Sequence, residues 1–226
     1  MFVLSRKEAL PGDALALVVT VTATAAMCLL GTVAAWLKFE VHGGRSTLFT
    51  SAFIMAYEGN VPTLYSYALL NLCALLLFIV AFRERGRPRA RRWWMHWLVL
   101  GVVFFLLAFD EAASLHEKLA PIFQRHGAGG LLHFAWVIPA GMFVVVMGLA
   151  YLRFLLALPR DIRLLVVVSA ALYVGGALLV ELPEGSYAEV YGQNTFVFHA
   201  FTVVEETFEM LGLSVFSYAL LRHLRA

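Results

Sequence analysis

A chain of 226 residues that is 62% hydrophobic and only 14% charged is neither an ordinary soluble domain nor a disordered one. Its net charge of +2 and the lack of a basic stripe with interleaved aromatics argue against a nucleic-acid partner. The composition predicts an all-α, polytopic integral membrane protein.

In chain order, the polar start MFVLSRKEALPGD precedes an uncharged run from Ala14 to Leu37. That run is long for a signal-peptide core and long enough to cross a bilayer, so a retained first helix is expected. Between it and the next run lies GRSTLFTSAFIMAYEGN, where Leu48, Phe49, Ala52, Phe53, Met55 and Ala56 recur at helical spacing. The stretch is too short to span and predicts an interfacial helix. Further runs follow at Val61 to Phe82, Trp93 to about Phe123, Leu131 to Leu152, Leu164 to about Leu182, and Thr195 to Leu221. A span needs roughly 20 mostly apolar residues, which predicts a six-transmembrane-helix bundle forming one membrane domain over residues 1–226. Pro139 is expected to kink the fourth helix, and Gly175 with Gly176 to allow close helix contact. Cys28 and Cys73 fall within apolar runs and read as small buried hydrophobes rather than as a disulfide.

Basic residues set the orientation. Arg6 and Lys7, the six arginines between Arg83 and Arg92, then Arg153, Arg160, Arg163, Arg222 and Arg225 fall on one side. The other side has few bases and several acids. The positive-inside rule then puts both termini in the cytoplasm, in a bacterial plasma (inner) membrane, with Trp93, Trp94, Trp97 and His96 at the cytoplasmic interface.

Ionisable residues inside the apolar runs are the strongest signal. The third run carries Asp110, Glu111, His116 and Glu117; the fourth His133; the fifth Glu181; and the sixth His199, Glu205, Glu206 and Glu209. Asp110, Ser114 and Glu117 share a helix face, and His199, Thr202, Glu206 and Glu209 form a comparable stripe with Glu205 beside it. At a rise of roughly 1.5 Å per residue, Asp110 stands about 25 Å along its helix from Trp93, and Glu209 on the order of 20 Å from Thr195. The two stripes are expected to face one another in a funnel opening outward.

Carboxylates at such depth face a bundle interior or water and need a partner. The acids outnumber the bases, so either some are protonated or a cation sits among them. Mixed carboxylate and imidazole ligands suit zinc, iron or manganese. The expected divalent-metal ligands are Asp110, Glu111, His199, Glu206 and Glu209, with Glu205 or Glu117 as general base toward a metal-bound water. The paired Glu-x-x-His motifs of di-iron bundles are absent, as are HExxH, GxSxG and the P-loop. Plainer readings exist: Glu117 and Lys118 as the solvated end of a helix, Asp110 and Glu111 as helix-end residues, Glu181 as a boundary before Pro183, and His133 and His199 as packing residues.

The leading expectation is a membrane enzyme, a hydrolase or oxidoreductase, acting on a membrane lipid or another amphiphile. The alternatives are a proton- or cation-coupled transporter and an accessory subunit assembling with other membrane subunits, in which His133 or His199 ligates a haem or pigment.

Overall fold

The computed structural model describes residues 12–88, 91–115 and 129–225. Among these, all regular structure is helical. The long helices are α1 (Gly12–Trp36), α3 (Val61–Arg85), α4 (Trp94–Ala113), α5 (Val137–Ala157), α6 (Arg160–Val174) and α8 (Phe196–Arg225); α2 (Leu48–Phe53) and α7 (Glu181–Tyr191) are shorter. Two π-helical turns interrupt the pattern. One, Leu37–Val41, ends α1, and the other, Gly175–Val180, joins α6 to α7.

Local chemistry explains most of these boundaries. Thr47 and Thr50 cap α2 reciprocally, each side-chain oxygen accepting from the other's backbone N–H, at 2.7 and 3.2 Å. Asn60 caps α3 by accepting from the Thr63 amide at 3.0 Å, with Pro62 in the first turn, where its missing N–H has no intrahelical acceptor to satisfy. Helix α4 stops at Ser114, which adopts a left-handed φ of 47°. The part of the expected third helix beyond Leu115, up to about Phe123, lies outside the described residues.

Two expectations about proline are corrected. The fourth helix begins at Val137 rather than Leu131, because residues 129–136 hold a 3-10 turn, Gly130–Leu132, and a loop. Pro139 therefore lies in the first turn of α5 and breaks no hydrogen bond. The fifth helix does not end near Glu181. It continues from Arg160 to Tyr191 as one path, because the wide turn at Gly175–Val180 absorbs the misfit that Pro183 brings to the turn before it.

Five helical stretches among the described residues are long and apolar enough to cross a membrane: Gly12–Val41, Val61–Arg85, Trp94–Ala113, Val137–Ala157 and Arg160–Tyr191. The chain is accordingly an integral membrane protein. Helix α8 is also long enough, but its acids and polar residues keep it out of that set. It runs against α1, α3 and α6, and its Met210, Leu213, Phe216 and Leu220 join Leu70, Cys73, Leu77 and Val80 of α3 and Trp97 of α4 in the core. Both cysteines are free thiols.

Small residues set the closest crossings, as expected where helices meet in lipid. A Cβ on Gly212 of α8 would lie 2.8 Å from the Tyr173 amide nitrogen and 2.9 Å from the Ser169 carbonyl oxygen. A Cβ on Gly176 would lie 2.7 Å from the Glu205 carbonyl oxygen and 3.0 Å from Cγ of Glu209. The expected close contact thus falls on Gly176, while Gly175 faces open space. These two glycines place the α6–α7 path directly against the acidic stretch of α8.

One end of the bundle collects the basic residues and pairs them. Arg225 bonds Asp13, Arg83 bonds the Leu224 carbonyl, Arg222 bonds Asp161 at 3.0 Å, and Arg87 pairs with Glu84 at 3.3 Å. Trp97 is 2% exposed and wedges against Phe154 and His223, so it is a core residue rather than part of an interfacial belt. His96 is enclosed by Trp93, Tyr151 and Phe154.

Candidate functional site

Helices α4, α5, α6, α7 and α8 surround one cavity of about 690 Å³. Helix α5 packs on the Gly175–Val180 turn and, at its far end, through Tyr151 and Phe154 on Trp93, His96 and Trp97. Between those attachments a stripe at helical spacing from Ala140 through Val144, Met147 and Tyr151 to Leu155 lines the cavity. That stripe covers about 22 Å along the helix axis. Opposite it, Leu100, Phe104 and Leu107 of α4, Val166 and Ala170 of α6, and Leu213 and Phe216 of α8 complete an apolar groove.

The far end of the same cavity has the opposite character. It is lined by Glu58, Asp110, Glu111, Glu181, Glu184, Glu205, Glu206 and Glu209, with His133, Trp136, Tyr173 and Thr202 among them, and by no lysine or arginine of the described residues. The carboxyl groups fall into two adjoining sets. In the first, Asp110 and Glu111 of α4 and Glu206 and Glu209 of α8 lie within electrostatic reach of Tyr173 on α6. Glu206 also feels Glu58 and Glu184.

The second set joins α7 to α8. Glu205 lies in hydrogen-bonding contact with the carboxyl groups of both Glu181 and Glu184. The indole N–H of Trp136 donates to Oε1 of Glu181 at 3.0 Å, and the Thr202 hydroxyl donates to Oε1 of Glu184 at 2.6 Å. Oε2 of Glu184 receives no conventional donor, although the residue is only 3% exposed. Carboxylates offer acceptors only, so contacts among three of them need protons or an outside donor.

Of the residues singled out in the sequence, Asp110, Glu111, Glu205, Glu206 and Glu209 come together on this cavity, and Glu205 belongs to the set with Glu181 and Glu184. His199 does not line it. The imidazole is buried on another side of α8, stacked on Phe39 with ring centroids 4.8 Å apart and edge-on to Tyr57 at 5.8 Å. Lys38, itself buried, sits over both of those aromatic rings. The face of α8 turned to the cavity runs through Phe198, Thr202, Glu205, Glu206 and Glu209, and His199 falls at its edge. Glu117 and His116 lie outside the described residues. Glu184, Glu58 and Tyr173 are members that the sequence reading did not include. Glu184 carried a usable signal, three residues beyond Glu181 and therefore on the same helix face, which the supposed boundary at Pro183 obscured.

Among the described residues, no group of three or more His, Cys, Asp or Glu side chains is gathered closely enough to hold a metal ion. The carboxyl groups share a cavity without forming a ready-made coordination shell.

A family model described as Domain of unknown function (DUF8692) matches residues 14–224, which is nearly the whole chain. The chain belongs to this family. The match takes in every helix that lines the cavity, so the acid-lined chamber lies inside the family's domain. No curated protein and no solved structure matches the chain.

Proposed function

We propose that the protein is a membrane-embedded enzyme acting on a single-chain amphiphile, which lays its tail along the apolar groove and brings its polar end to the carboxyl groups. The observation that carries this reading is the continuity of one cavity, acidic at one end and apolar along the helix axes beyond it. Ligand sites are mostly apolar with a few convergent polar groups, and ionisable residues at membrane depth mark function by default. In this reading Asp110, Glu111, Glu206 and Glu209 form the reactive centre around Tyr173. A divalent ion such as zinc, iron or manganese is the counter-charge this reading adds, and these carboxyl groups would have to draw closer than they stand to hold it. Helix α8 is the sixth crossing, both termini are cytoplasmic, and the acidic end opens outward.

The test is elemental analysis and turnover of a membrane lipid extract, with the protein in lipid nanodiscs. A stoichiometric divalent metal and consumption of one amphiphile are expected, both lost in the Glu206→Gln, Glu209→Gln double variant. Metal content that survives the double change removes these residues from the site.

A cation-coupled transporter is favoured by one feature, the π-helical turn Gly175–Val180 inside the Arg160–Tyr191 span, since interrupted helices mark many transporter sites. Against it, the described lining of the inner part of the cavity is mostly apolar, with Leu100, Phe154, Leu155, Val166, Leu213 and Phe216 beside the hydroxyl groups of Tyr151 and Ser169. Proteoliposome flux that vanishes on Glu206→Gln, without lipid turnover by the parent protein, would decide for transport.

A further inference from the structure

We propose that Glu181, Glu184 and Glu205 form a seat for a primary ammonium group, so that the amphiphile taken up by the cavity is a long-chain amine. This rests on the amphiphile reading above and adds the chemistry of the head.

Three features of the α7–α8 junction point the same way. First, Glu205 bridges the other two, lying in hydrogen-bonding contact with the carboxyl groups of both Glu181 and Glu184. Second, the protein's own donors are used on one side only. Trp136 satisfies Oε1 of Glu181, and Thr202 satisfies Oε1 of Glu184. Third, Oε2 of Glu184, in a side chain that is 3% exposed and lines the cavity, has no donor among the described residues other than a carboxyl group of the trio itself. A buried acceptor in that state loses its hydration with nothing in exchange. No lysine or arginine among the described lining residues supplies the missing donor.

Donor number and charge select among head groups. A primary ammonium carries three N–H donors and one positive charge, matching three acceptor groups beside which no described lysine or arginine lines the cavity, and charge-assisted hydrogen bonds are roughly twice as strong as neutral ones. A quaternary ammonium has the charge but no donor. An alcohol has one donor and no charge, and a fatty acid or phosphate head repels the site. Beyond the seat the cavity passes Glu206 and Glu209 and then turns apolar, lined by Leu213 and Phe216 of α8 and by Val144, Met147 and Leu155 of α5, which calls for an alkyl chain behind the nitrogen.

The experiment measures binding to the full-length protein in nanodiscs for a series that shares one chain: hexadecylamine, hexadecyltrimethylammonium, hexadecanol and hexadecanoate, with ethylamine as the head alone. Hexadecylamine is expected to bind at least tenfold tighter than any other member, and Glu184→Gln and Glu205→Gln are each expected to weaken it tenfold or more. Glu205→Gln and the head-group series keep the test open where Glu184→Gln fails to fold. Equal binding of hexadecanol and hexadecylamine would overturn the ammonium seat and leave the amphiphile cavity standing. If no member of the series binds, both readings fall together. Unchanged hexadecylamine affinity in both folded variants would also overturn the assignment.

Discussion

The two ends of the bundle treat charge in opposite ways. At the basic end, Arg225, Arg222 and Arg87 each meet a carboxylate. At the cavity end, eight carboxyl groups line one space with no described lysine or arginine among them. Opposite charges in contact serve the fold and the orientation of the chain in the membrane. Carboxyl groups held together by packing work against folding when ionised, and the proposed function rests on that end of the molecule.

The largest effect is expected where packing alone is at stake. Trp97→Ala at the basic end removes a fully buried indole from between Phe154 and His223 and should cost about 3 to 5 kcal/mol, read as a large drop in thermal midpoint in detergent. A shift of only a degree or two would mean that the basic end is not a packed core.

Gly212→Leu comes next. Its side chain would enter backbone atoms of Ser169 and Tyr173 and should cost about 3 kcal/mol by overpacking, while also moving Tyr173 away from the four carboxyl groups around it. A variant with parental stability would show that the α6–α8 crossing does not set the site.

The sign should reverse at the acid trio. Replacing Glu184 and Glu205 together by Met is expected to stabilise the ligand-free protein by about 1 to 3 kcal/mol, since exchange of buried charged groups for apolar ones of similar volume is often stabilising. A lowered midpoint on calorimetry would make the trio a structural network and remove the distinction between the two ends.

Asp161→Asn should do least. Its partner Arg222 and the aspartate are both about half exposed, and exposed ion pairs contribute little. No measurable change in midpoint is expected at either low or high salt, and a clear loss would show that this pair anchors α6 to α8.

Much of this architecture is legible in the chain. The apolar runs mark the five described spans, the arginines mark one end, and Asp110, Glu111, Glu206 and Glu209 stand out because apolar sequence surrounds them. What was misread has local causes. Pro183 looks like a helix end, yet a π-helical turn carries the helix past it, so Glu184 appears to lie in a loop when it is 3% exposed on the cavity wall. Pro139 looks like a kink in mid-helix only because the helix start was set at Leu131 rather than Val137.

His199 shows where such reading ends. Helical periodicity gives the angle between His199 and Glu206 on α8, but it says nothing about how the whole helix is rotated against its neighbours. The amino-acid sequence by itself determined the helices, their apolar lengths and the segregation of charge, because each follows from residues close together in the chain. Which faces meet was decided only by tertiary packing. The close approach at Gly176 and Gly212 fixes the rotation of α8, turns Glu205, Glu206 and Glu209 to the cavity, and leaves His199 with Phe39 and Tyr57.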